Sequence, residues 1–234
     1  MRGRWGIIYN ATAATERVGA EPALVELKTK AQTGSQITST NVNITGVTEG
    51  NLIVVVIAAS AVGLTFTVSA SGEDFAQDVI SNSGGAPDVS VAIWSAPNFS
   101  GGDKTITLQV SQLEFVRYAI IEFENVAASG HVIDTNTGQG LTQNATVGSV
   151  TTGLSNTLLF GAIRTDGDET AHGDIGVGPG FTLVYAFAAS EPEQKLMTEY
   201  AVVDAGTYPP GNLFTMQTAD GGGWRTALVA YAGS

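Results

Sequence analysis

Leu52-Ile53-Val54-Val55-Val56-Ile57, then Leu64-Thr65-Phe66-Thr67-Val68 a few residues on, decide how this chain folds. The first stretch is apolar at every position and rich in β-branched side chains. It reads as a central strand covered on both faces. The second alternates, with Leu64, Phe66 and Val68 on one side and Thr65 and Thr67 on the other. It reads as a strand with one buried and one wet face. Working outward, Leu158 to Ile163 repeats the first kind. Val89, Val91 and Ile93 (against Ser90 and Ala92) and Ile106, Leu108 and Val110 (against Thr105, Thr107 and Gln109) repeat the second. Turn signals separate the runs: Thr48-Glu49-Gly50-Asn51, Ser83-Gly84-Gly85, Gly101-Gly102-Asp103, Tyr208-Pro209-Pro210-Gly211 and Asp220-Gly221-Gly222-Gly223. Many short strands with regular turns predict an all-β fold, an antiparallel jelly-roll-like β-sandwich. Glu21 to Lys30 is the one helix candidate. Its period-two alternation favours a strand instead.

Composition narrows the function classes. Charged residues are 14% and hydrophobic ones 43%, the opposite of a disordered chain. The absence of Cys excludes disulfides, Cys-ligated metals and thiol nucleophiles. A net charge of −12 argues against nucleic-acid binding, which needs clustered Lys and Arg. The longest apolar run, Leu52 to Ala59 and its flanks, falls far short of the ~20 residues that span a bilayer. No apolar segment follows Met1-Arg2-Gly3-Arg4-Trp5, so the expectation is a soluble chain without an export signal or membrane partner.

The charge is uneven. Arg2, Arg4, Arg17, Lys28 and Lys30 are half of the 10 basic residues, and the first 30 positions hold only Glu16, Glu21 and Glu26 as acids. Residues 1–20 are therefore expected to form an arm ahead of a sandwich spanning 21–234. In that arm Arg2, Arg4, Trp5, Ile7, Tyr9 and Arg17 are the expected partner-binding residues, packing against another subunit. Within the body, halves of about 21–128 and 129–234 align. Val47 to Val54 matches Thr152 to Leu159, and Gly63 to Thr67 matches Pro179 to Thr182. Ser90 to Trp94 matches Met197 to Ala201, and Phe115 to Ile121 matches Gly223 to Val229. This two-fold internal repeat fits two small sandwiches or one larger interleaved sandwich; because no Pro/Ser-rich linker separates the halves, one compact unit is the preferred expectation.

Chemistry-bearing clusters are few. Asp166, Asp168 and Asp174, with Glu169 and His172 among them, could surround a Ca²⁺ ion with hard oxygens. The EF-hand spacing is absent, so a solvated acidic loop is the preferred reading, and no cofactor is expected. His131 and His172 are the only histidines, too few for a three-ligand zinc site without a carboxylate. Glu122 and Glu124 share a strand face with Glu114, as paired glycosidase carboxylates would; a wet strand face is the preferred reading. Trp94, Trp224 and Tyr208 could stack on sugars, although Trp on a strand is more often core. No nucleophile elbow, phosphate loop or zincin motif occurs.

The pattern T-x-G-N-L-I-V-V-V-I, G-x-T-F-T, V-A-I-W, K-T-I-T-L, A-I-I-E-F-E-N-V, D-T-N-T-G, S-N-T-L-L-F-G-A-I, G-P-G-F-T-L and W-R-T-A-L-V-A-Y resembles a family of β-sandwich domains. That family is widespread in bacteriophage genomes and bacterial surface proteins. The resemblance covers roughly Pro22 to Ser234 and brings no catalytic residues. It implies a non-enzymatic structural protein of a virion surface. Head decoration, attached to the major capsid protein through the arm and forming a homo-oligomer, ranks ahead of a tail-associated role. The alternative is a carbohydrate-binding or adhesion module that recognises a glycan.

Overall fold

A computed structural model describes residues 20–84, 86–166, 175–186, 195–208, 212–216 and 223–234. The N-terminal half runs β1 (Ala23–Gln32), β2 (Ile37–Val47), β3 (Leu52–Ala59), β4 (Phe66–Ala70), β5 (Ala76–Ser81), β6 (Ser90–Ala96), β7 (Gly102–Glu114) and β8 (Val116–Glu124). The C-terminal half runs β9 (Val132–Gly140), β10 (Asn144–Thr146), β11 (Val150–Thr152), β12 (Thr157–Thr165), β13 (Ile175–Val177), β14 (Thr182–Ala186), β15 (Leu196–Val203), β16 (Gly206–Tyr208), β17 (Asn212–Met216) and β18 (Trp224–Tyr231). No helix occurs among the described residues, and every strand pairing is antiparallel. The chain is all-β, and Glu21 to Lys30 lies mostly in strand β1.

Two five-stranded sheets, β1-β8-β3-β6-β5 and β14-β15-β12-β18-β9, form the centre. Each carries a smaller outer layer: β2-β7-β4 on the first, and β10-β17-β13 with β11-β16 on the second. Three apolar layers fill the spaces between these four layers of sheet. The middle one sets Leu52, Val54 and Val56 of β3 and Ile121 and Phe123 of β8 against Leu158, Phe160 and Val229. Phe123 meets Phe160 and Tyr200 edge-on, at 5.8 and 5.7 Å between ring centres. The outer layers take the alternate positions, Ile53, Val55 and Ile57 on one side and Leu159, Ile163 and Leu228 on the other. This sandwiching explains why β3 and β12 are apolar at nearly every position.

The outer strands keep the alternation read from the sequence. Phe66 and Val68 of β4 and Ile106, Leu108 and Val110 of β7 are buried, while Thr67, Thr105 and Gln109 face out. For β6 that reading is corrected: Ser90, Ala92 and Trp94 are as buried as Val91 and Ile93, because β6 has a sheet on each side. Small or aromatic side chains there fill the second core instead of meeting water.

The registers of the two halves run in parallel. Pairing in β3–β8 begins at Leu52 with Phe123 and ends at Ala59 with Val116. Pairing in β12–β18 runs from Leu158 with Tyr231 to Thr165 with Trp224. A bulge interrupts β5–β6 between Gln77 and Val79, and another interrupts β14–β15 between Leu183 and Tyr185. Three of the sequence alignments do not follow these registers. One of them, Ser90 to Trp94 against Met197 to Ala201, is two residues off, because the pairings set Trp94 level with Glu199. Setting Val54 against Leu159 pairs an inward with an outward residue, the face inversion that one residue of slip produces. Setting Gly63 to Thr67 against Pro179 to Thr182 joins β4 of an outer sheet to β14 at an inner-sheet edge.

Candidate functional site

The residues singled out from sequence scatter. Asp168, Asp174 and His172 lie outside the described residues, as do Arg2, Arg4, Trp5, Ile7, Tyr9 and Arg17. Asp166 follows β12; its Oδ2 accepts the Asp88 amide at 3.3 Å, and its own amide donates to the Gly223 carbonyl at 2.7 Å. It thereby ties two loops together. Among the described residues, no three His, Asp or Glu side chains group as metal ligands. Trp94 and Trp224 are core residues, the latter donating its indole N–H to the Thr142 carbonyl at 2.8 Å. Half-buried Tyr208 donates to the Asp204 carbonyl at 2.6 Å.

Glu122 is not on a wet face; it is fully buried. Its Oε1 accepts the Thr48 amide at 2.8 Å and the Asn51 side-chain amide at 2.7 Å, and its Oε2 lies 2.6 Å from Lys28 Nζ. Glu26 contacts the same ammonium. Burial pushes the Glu122 carboxyl up, but Lys28 and the two amides outweigh it and hold the carboxyl below its ordinary range. The group clamps the β2–β3 turn to β1 and β8. Glu124, two residues on, is exposed.

Asp78, Ser95, His131 and Tyr231 form a second cluster, where β5 and β6 of one inner sheet meet β18 and the start of β9 of the other. Ser95 Oγ donates to Asp78 Oδ1 at 2.9 Å, and His131 Nε2 lies 2.8 Å from the same hydroxyl. Tyr231 donates to Asp78 Oδ2 at 2.6 Å, and its ring stacks on His131 at 5.8 Å with 3° between planes. Burial raises the Asp78 carboxyl to about 6, against the two hydrogen bonds that favour its charged form. Burial also pulls His131 down. The residue types match a nucleophile–base set, but the connections do not. Ser95 Oγ lies between the Asp78 carboxylate and His131 Nε2, so the hydroxyl links the two, and the His131 tautomer sets the direction of its own bond. The cluster joins the two inner sheets.

A third feature is a run of buried arginines. Arg117, Arg164 and Arg225 all point into the layer between the inner sheets, and Arg164 pairs directly across from Arg225. Arg225 donates to the Ser83, Gly84 and Pro87 carbonyls and to Gln139. Arg164 donates to Ser60 Oγ at 3.1 Å. Each of these contacts to Ser60, Ser83, Gly84 and Pro87 runs from the second half to the first.

The fourth is Glu199 on β15. It is fully buried; its Oε2 accepts the Gly178 amide at 2.8 Å, and its Oε1 has no partner. Burial raises the carboxyl to about 8, against that one amide, so it is neutral at pH 7. Beside it, between β12, β15 and β18 and the outer strands, a cavity of about 370 Å³ opens to the surface.

None of these groups was identified from sequence as buried chemistry, yet a signal was present. Arg117, Arg164, Glu199 and Arg225 each interrupt an apolar run, as in Leu158-Leu159-Phe160-Gly161-Ala162-Ile163-Arg164. A charge in a strand with no polar face has no wet side to occupy. No protein-family model, curated protein or solved structure matches the chain.

Proposed function

We propose that the chain is a non-enzymatic structural protein of a bacteriophage virion, decorating the head and held there through its N-terminal arm and contacts between copies. One observation carries the non-enzymatic part. The groups with catalytic potential bind one half of the molecule to the other: His131 to Ser95, Tyr231 to Asp78, Arg225 to the 83–87 loop and Arg164 to Ser60. Such a molecule is braced across its middle and suited to carrying load. The virion location rests on the sequence resemblance.

The body reads as two copies of one jelly-roll-like unit packed back to back. The shared strand orders, pairing ends and bulge positions support this. So does a matched polar pair, because Gln32 sits opposite Arg117 as Gln139 does opposite Arg225. The arm of residues 1–20 supplies the docking element, its arginines meeting acidic partners and Trp5, Ile7 and Tyr9 packing against them.

A second reading, a glycan-binding adhesion module, is favoured by the outer face of β2-β7-β4. There Thr105 donates to Asn43, Thr107 to Asn41 and Thr67 to Gln109, at 2.8, 2.9 and 3.3 Å. These rows are uncharged and present amides and hydroxyls of the kind that sugars bind. Immunogold labelling of particles and cells from the source culture separates the two readings. Label on particle heads, lost when residues 1–20 are deleted from a chain that still folds, is the expected result. Label confined to cell surfaces and displaced by soluble glycan would replace the first reading with the second.

A further inference from the structure

The outer layer of the second half holds a cavity, and the step of β15 next to its lining differs from the matching step of β6 in the first half. In β6–β3, Trp94 pairs with Val55; at the matching step of β15–β12, Glu199 pairs with Gly161. The first half thus packs an indole and an isopropyl group against its outer sheet, backed by Phe99 and Phe75 meeting edge-on at 6.1 Å. The second half has an acid and a glycine there, with Leu213 packed over the glycine, and the open space begins one step away at the Leu159–Ala201 pair.

The cavity floor is Leu159, Leu228, Leu213 and Val147, all buried, and its rim includes Ala201 and Val203, both half-buried. Among the described lining residues, Tyr208 alone has a polar side chain, and its hydroxyl is already bound to the Asp204 carbonyl. Close packing is the rule inside proteins, and an unfilled apolar space of this size costs stability. About 370 Å³ falls within the range of small-molecule sites, which are concave, mostly apolar and open on one side.

We infer that this cavity is a binding site for one small, neutral, apolar molecule of the alkyl-alcohol or polycyclic-aromatic kind, seated between the second inner sheet and its outer strands. The choice of a neutral ligand follows from charge. Among the described residues the wall offers no cation, and the whole chain carries a net −12, which disfavours a carboxylate or phosphate headgroup. Glu199 sits one step further along β15 than Ala201, on the same face, with its carboxyl group protonated. This inference does not depend on the virion reading and survives its failure.

Titration of the full chain with 1-aminoanthracene, followed by the fluorescence gain of the bound dye, tests the site. Saturable one-to-one binding is expected at pH 7, displaced by n-decanol and at least tenfold less well by decanoate. Ala201→Phe, which fills the space, should weaken dye binding at least tenfold without lowering Tm. Val203→Trp, at the half-buried rim, gives the same reading if Ala201→Phe does not fold. Absence of saturable binding by the wild-type chain overturns the inference. So does binding that both filled variants retain unchanged, or displacement by decanoate as effective as by decanol.

Discussion

Single buried charges account for much of what is unusual here. Glu199 gains a proton on folding, because burial lifts its carboxyl from 4.5 to about 8. Between those values the native state binds the extra proton, so stability falls as pH rises from about 4.5 through 8 and then levels off. Urea midpoints of Glu199→Gln should lack that fall, leaving the variant more stable than wild type at pH 9 by about 3–5 kcal/mol. Asp78 behaves alike in a lower window, from 3.8 to about 6, and Asp78→Asn should flatten the midpoint there while the higher slope persists. Glu122 has the opposite sign. Its carboxyl is held down, so the stability it contributes is present at neutral pH and lost as pH falls through its range. Glu122→Ala leaves the buried Lys28 ammonium with Glu26 and the Thr45 and Gly46 carbonyls but without its buried counter-ion, and strands the Thr48 and Asn51 amides. Calorimetry at pH 7 should record a loss of about 3–5 kcal/mol, the typical result of breaking a buried pair from one side.

At the level of elements, the inner strands are specified by burial on both faces and the outer ones by alternation. That difference sets where changes are tolerated. Strand β9, at the edge of the second inner sheet, is crossed so closely by β10 that a Cβ on Gly138 would lie 2.0 Å from the Thr146 carbonyl oxygen. The atom in the way is backbone, which cannot swing aside. Gly138→Ala should therefore destabilise the chain by more than about 2 kcal/mol, in the range of overpacked sites. A Tm shift of under two degrees would mean that β10 can lift away from β9. Gly153, whose added Cβ meets nothing, is the matched control and should accept Ala without loss.

For the whole molecule, the layer between the inner sheets is the decisive interface. It holds Leu52, Val54, Phe123, Phe160 and Val229 together with the buried arginines. Neither half can hide that face alone, so the two should unfold as one. With Trp5 replaced by Phe, Trp94 reports on the first half and Trp224 on the second. Single-tryptophan variants are expected to share one urea midpoint, within the effect of each substitution on overall stability. Two separated transitions in a chain that retains both tryptophans would show that the halves are independent. A fragment of residues 20–128 should associate or precipitate, because it exposes the whole inward face of β3, β6 and β8.

Sequence alone determined the strand content, the polar and apolar faces of β4 and β7, and the full burial of β3 and β12. These follow from side-chain period and composition, which are local quantities. The same local rule misread β6 and Glu122. Alternation of Ser and Val looks the same whether its second face meets water or a second sheet, and an acid in a strand looks exposed until its partners arrive. Lys28 is 94 positions from Glu122, and Asp78 is 153 from Tyr231, so no spacing rule links them. Only the tertiary structure decided that two five-stranded sheets stack, because that choice depends on matching inward faces over the whole chain. It also decided that Glu199 faces Gly161 where Trp94 faces Val55, and that a cavity remains one step away at Leu159 and Ala201. That contrast depends on pairing registers, which a one-residue slip in alignment conceals.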